Sequence, residues 1–118
     1  MGITTIEAKV FNPADSSKKV ELRFTVDSGA GYSVIPEHVL RDLKIEPNRT
    51  QSFFLANGDE IKREMGVACF EYLEIITAAP VIFGREGDAA LIGATTLEGF
   101  GFVLDPFRRE LRPMSMRL

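Results

Sequence analysis

The chain has 118 residues and a formal net charge of −3, with 45% hydrophobic and 26% charged residues. That is one domain, 1–118, with a modest core, and its acidic balance argues against nucleic-acid binding. No apolar run approaches the roughly 18 residues of a membrane span, and a single cysteine, Cys69, excludes an internal disulfide framework.

At the N-terminus, Met1-Gly2 fails the myristoylation pattern because position 6 is Ile rather than Ser or Thr. No basic segment followed by an apolar run marks an export signal, which with the lone thiol favours a cytoplasmic setting. Strands are predicted near 3–11 and 19–26, because Thr4, Ile6, Ala8 and Val10, then Val20, Leu22, Phe24 and Val26, alternate with strand period. The cluster Asn12 to Ser17 joins them as a turn. Val26-Asp27-Ser28-Gly29-Ala30 follows, an acid on a tight Gly turn before a second apolar stretch at Tyr32, Val34 and Ile35. Such a turn presents a carboxylate rigidly at a sheet edge, although an isolated Asp-Ser-Gly is more often an ordinary turn.

A short helix is expected over 36–43. It contains His38, the only histidine, in a surface role. Without a basic partner Cys69 has no cysteine-protease chemistry, and the few Cys and His residues provide no metal site. Strands near 50–56 and 60–69 flank Ala56-Asn57-Gly58, the strongest short-range hairpin signal in the chain. Further strands are predicted at 70–77 and 80–84, with Cys69 as a buried, inert thiol. Gly84-Arg85-Glu86-Gly87 lacks a following Lys-Ser/Thr and reads as a loop rather than a phosphate cradle. A strand at 89–92 ends at Gly93 and runs into a second short helix at 94–99. Strands at 101–105 and 109–112 then flank the turn Asp105-Pro106-Phe107-Arg108. Arg108, Arg109 and Arg112, with Glu110 among them, form a solvated strand face.

The order of three elements resembles the retropepsin-like aspartic proteases: Asp27-Ser28-Gly29, the Asn57-Gly58 hairpin, and Ala89-Ala90-Leu91-Ile92-Gly93. The likeness runs from about Val20 to Leu111. It is nearest to single-domain prokaryotic members, whose tails are similar to Leu91 to Glu98 followed by Val103-Leu104-Asp105-Pro106. Ala94 stands where retroviral members carry Arg. The resemblance implies an all-β fold, a small closed acid-protease barrel with one or two short helices, and an aspartic endopeptidase that needs no cofactor. It implies that Asp27 is catalytic, that Ser28 hydrogen-bonds across an interface, and that Gly29 permits the turn and offers its N–H. Ala30 is then the small residue that substrate backbone passes, and Ala56, Asn57 and Gly58 form a flap over an extended peptide.

That chemistry needs two carboxylates in contact, since like charges there cannot both ionise and so share a proton. The chain has one Asp-Ser-Gly and no internal repeat. The economical solution is a homodimer that sets Asp27 against its symmetry mate. The alternative is an inactive module that keeps the fold for dimerisation or peptide binding.

Overall fold

Alternation of side chains sets the first hairpin. Strand β1 (Thr4–Asn12) turns Thr4, Ile6, Ala8 and Val10 inward, and strand β2 (Asp15–Val26) contributes Phe24 and Val26 to the same core. The computed structural model describes residues 3–118, so the acylation motif tested at Met1-Gly2 lies outside the described residues. The turn is tighter than the Asn12 to Ser17 cluster predicts, because Asp15, Ser16 and Ser17 belong to β2. A register shift beyond Phe11↔Lys19 brings Asn12 opposite Asp15, and the Asn12 side chain accepts from Ala14 N (2.8 Å).

After the Asp27 loop come strand β3 (Ser33–Pro36), helix α1 (Glu37–Asp42) and strand β4 (Arg49–Phe54). β3 completes the second apolar stretch as a strand of its own. The expected strands at 60–69, 70–77 and 80–84 are in fact two long ones, β5 (Glu60–Tyr72) and β6 (Ile75–Gly84), paired from Met65↔Ile82 to Tyr72↔Ile75. The reversal sits at Leu73 and Glu74, both with positive φ (50° and 66°). A two-residue turn of this hand asks for Asn or Gly. Leu-Glu carries no such signal, so the ladder on either side imposes the conformation.

The length of β5 is what closes the barrel. Along one edge it pairs with β4 from Glu60 to Met65, and further on with β1 at Cys69, Phe70 and Glu71. A break between residues 69 and 70 would interrupt that second pairing. Strand β7 (Leu91–Ile92) lies between β2 and β3, giving the order β1-β2-β7-β3-β6-β5-β4, with β1–β5 as the closing contact. Helix α2 (Ala94–Phe100) follows, and strands β8 (Phe102–Asp105) and β9 (Glu110–Pro113) form a separate two-stranded sheet.

Phe24, Phe70, Ile35, Leu40, Val81 and Ile92 fill the barrel, and Phe24 meets Phe70 at 6.0 Å between ring centroids. Cys69 is buried and free, and burial raises its thiol pKa, as the inert assignment expects. His38 is exposed on α1, and Arg112 pairs with Asp105 (3.2 Å) rather than with Glu110.

Candidate functional site

The chain leaves β2 at Val26 and reverses at once. Asp27 N still continues the sheet by donating to Ile92 O (2.9 Å). Ala30 N donates back to Asp27 O (3.2 Å), and Gly29 N donates to the Asp27 carboxylate at Oδ1 (2.9 Å). Asp27, Ser28 and Gly29 are exposed, and Ala30 is half-buried. One bond from its own turn therefore orients the exposed carboxylate. The Ser28 hydroxyl has no hydrogen bond among the described residues.

What holds the turn comes from the other end of the chain. The first amides of a helix have no partner within it. In α2 they are supplied by the loop: Ala94 N donates to Ala30 O (2.7 Å) and Thr95 N to Gly31 O (3.1 Å). Gly93 N donates to Ser33 Oγ (3.0 Å), and that hydroxyl shares a buried 2.6 Å bond with Thr96 Oγ1. Gly93 has to be glycine, because a Cβ there would stand 2.5 Å from Tyr32 O and 2.9 Å from Ala30 O. The predicted Gly-ended strand and short helix thus clamp the Asp27 turn. The roles of Ser33 and Thr96 escaped the sequence reading, where the one signal was a hydroxyl inside an apolar strand segment.

The β4–β5 hairpin closes on itself. Gly58 N donates to Leu55 O (2.9 Å), Leu55 N to Asp59 O (2.8 Å) and Asp59 N to Asn57 Oδ1 (2.9 Å). Gly58 alone takes positive φ (90°), so the loop is a three-residue turn with Gly in the left-handed position, not an Asn-Gly pair that is left-handed throughout. Ala56, Asn57 and Gly58 are exposed, and no hydrogen bond among the described residues joins them to the Asp27 loop. The two regions meet lower down, where Tyr32 and Phe53 stack edge to face (6.5 Å, 85°).

Beside that contact lies an apolar depression of about 350 Å³, lined by Val34, Phe53, Ile61, Ile82, Ala89 and Leu91, with Arg63 and Asp88 at its rim. Arg63 Nε reaches Asp88 Oδ2 at 3.4 Å and so ties the hairpin to the loop after β6. A larger depression of about 570 Å³ runs between α1 and that loop. Mixed charges line it (Glu37, Arg41, Arg85, Glu86), and it includes no residue of the Asp27 turn or the hairpin tip. Among the described residues no group of His, Cys, Asp or Glu could hold a metal ion, and no helix is long and apolar enough to cross a membrane.

No protein-family model matches the chain, and no curated protein matches it in sequence. Among solved structures it is similar to the solution structure of the simian foamy virus (mac) protease. The TM-score is 0.57 at 22% identity, over 80% of this chain and 91% of that one. The architecture is therefore that of the retropepsin-like proteases, mostly strand with two short helices.

Proposed function

We propose that this chain is an aspartic endopeptidase that works as a homodimer. The observation that carries this reading is the Asp27 turn itself. On a protease fold, a carboxylate stands exposed at the end of β2, on a loop held by hydrogen bonds from β7 and α2 and backed by the buried Gly93–Ser33 bond. A turn with only a structural role has no need to leave an acid so firmly oriented and so open. Within the fold we place the chain with the single-domain prokaryotic members, on the runs 91–98 and 103–106, and in a reducing, cytoplasmic setting, on its free thiol.

In the dimer a water lies between the two Asp27 carboxylates, which share a proton because both cannot ionise in contact. One takes a proton from the water as it attacks the peptide carbonyl, and the other donates to the oxygen where negative charge develops. Exchanging roles, the pair then protonates the leaving nitrogen. Gly29 N–H orients each carboxylate, the Ser28 hydroxyls brace one loop against the other, and Ala30 leaves room for the substrate backbone. The extended peptide pairs with the hairpin at Ala56, Asn57 and Gly58, which closes over it and excludes water. The depression lined by Val34, Phe53, Ile61 and Leu91 favours an apolar substrate side chain.

The test is cleavage of an unfolded protein at about pH 4–6, comparing wild type with Asp27→Asn, in the presence and absence of a statine-type inhibitor. Asn keeps an acceptor for Gly29 N–H, so the loop survives while activity falls by roughly three orders of magnitude or more. Equal rates in the two proteins would eliminate the enzyme and leave the inactive dimerisation or peptide-binding module.

A further inference from the structure

One charged residue interrupts an apolar strand face. Ile61, Arg63 and Met65 follow one another on the same side of β5, with Ile61 half-buried and Met65 buried. Arg63 is thus a cation among hydrocarbon, its side chain only 21% exposed. Across the ladder it faces Gln51, which carries no charge, so its counter-ion comes from Asp88 in the loop after β6. Stability does not explain the pair. A partly exposed ion pair at 3.4 Å contributes little, and an apolar residue at 63 would extend the face without desolvating a charge.

What the two side chains leave open is more informative. Arg63 uses Nε on Asp88 Oδ2 and Nη1 on Lys62 O (3.0 Å), and Nη2 has no hydrogen bond among the described residues. Asp88 Oδ2 also accepts from Arg85 N (2.8 Å), which fixes the carboxylate on its loop. Its Oδ1 has no partner among the described residues. The pair therefore presents unused donors and an unused acceptor, held on two separate side chains. Both line one end of the apolar depression of about 350 Å³. The other end is Val34 and Leu91, paired with each other, and Leu91 precedes Ile92, whose carbonyl accepts from Asp27 N. Phe53, Ile61 and Ile82 supply the wall in between. A side chain entering beside the Asp27 turn crosses hydrocarbon first and reaches Arg63 and Asp88 last.

We infer that this depression selects a glutamine side chain of the substrate, whose amide is read by Arg63 and Asp88 together. This rests on the protease reading above and names more closely what the depression takes, a side chain apolar along its stem and polar at its end. The methylenes lie against the wall. The amide oxygen then accepts from an Arg63 N–H while the amide nitrogen donates to Asp88 Oδ1. A carboxylate end would gain Arg63 but meet the like charge of Asp88, and an ammonium end would gain Asp88 but meet Arg63. A thioether end answers neither group and displaces the water that serves both. A tyrosine hydroxyl donates and accepts as well, but through a single atom, where the pair asks for two.

An unfolded protein mixture is digested by wild type at about pH 6, where substrate carboxylates are ionised, and the cut sites are read by mass spectrometry. The best-cut sequence is then synthesised with Gln, Glu, Lys, Met and Tyr in turn at each position flanking the cut. Ratios of kcat/KM are taken within each enzyme. In wild type, Gln exceeds Met by about tenfold at a flanking position. Asp88→Asn keeps an acceptor for Arg85 N and leaves Arg63 as the only charge of the pair, so Glu overtakes Gln. Arg63→Met leaves Asp88 alone, and Lys overtakes Gln. Such ratios cancel any loss of folded protein, and if a variant cuts nothing, the wild-type series and the other variant decide. Wild type that cuts with Gln no better than Met or Tyr at every position overturns the inference and leaves the protease standing. So does a cutting variant that keeps the wild-type ranking. If Asp27→Asn cuts as wild type does, the protease reading falls, and this inference with it.

Discussion

The Asp27 turn and the surface hairpins are both tight reversals of the chain, yet different chemistry holds them. At Asp27, beyond the bond of its own carboxylate to Gly29 N, the clamps are neutral: backbone amides of α2 on the carbonyls of Ala30 and Gly31, and the buried Ser33 hydroxyl on Thr96 and on Gly93 N. At two of the surface hairpins a carboxylate is among the clamps. Asp105 accepts from Arg108 N and Phe107 N at the β8–β9 turn, and Asp15 from Ser17 at the first hairpin. Both acids titrate below their ordinary range, Asp105 chiefly through the Arg108 N–H and Asp15 chiefly through the Ser17 hydroxyl. A carboxylate depressed in the fold stabilises it above the unfolded pKa, and that contribution is lost as pH falls through the lower folded value. Acid therefore loosens these two hairpins before it touches the neutral bonds that hold the Asp27 loop. The amides, carbonyls and hydroxyls around Asp27 do not titrate in that range.

Breaking the clamp should have the largest effect. Gly93→Ala forces a methyl group against the backbone of Tyr32 and Ala30 and costs on the order of 3 kcal/mol or more. A denaturant melt within 1 kcal/mol of wild type, roughly the median cost of a point change, would show that the loop gives way easily. Next comes Ser33→Ala, which strands the Gly93 N–H and the Thr96 hydroxyl in the core, at about 2–3 kcal/mol in the same melt. The acid contrast is sharpened by amide exchange at falling pH. Protection at Phe107 and Arg108 should drop below the ordinary Asp range while Gly93 and Ala94 stay protected, and simultaneous loss at both would erase the distinction. Smallest is Gly58→Ala at the hairpin tip, where a methyl meets open space and only the positive φ is strained. It should cost about 1 kcal/mol and speed exchange in residues 55–59 without touching the Asp27 loop.

Much of this was legible in the residue order. Asp27-Ser28-Gly29, Asn57-Gly58 and Leu91-Ile92-Gly93 each carry a local constraint: a glycine turn, a hairpin, a strand ended by a close approach. The alternation of β1 and β2 is strong enough to identify the core face. The hairpin at Leu73-Glu74 was hidden because its residues have no preference for the conformation they adopt. The Ser33–Thr96 bond was hidden because it links positions 63 residues apart, and a hydroxyl in an apolar run does not name its partner. The apolar depression under Phe53 draws its walls from β3, β4, β5, β6 and β7, so no single segment displays it.

Local chemistry in the chain thus determined the kind of element at most positions, and the placing of one exposed acid on a glycine turn, because those depend on neighbours within a few residues. Tertiary structure alone decided that β5 would lend one edge to both β4 and β1 and so close the barrel. It also decided that α2 would lend its unpaired amides to the Asp27 loop. Hydrogen-bonding groups must find partners wherever the fold brings them, and which partner a backbone amide meets is settled only when distant strands come together.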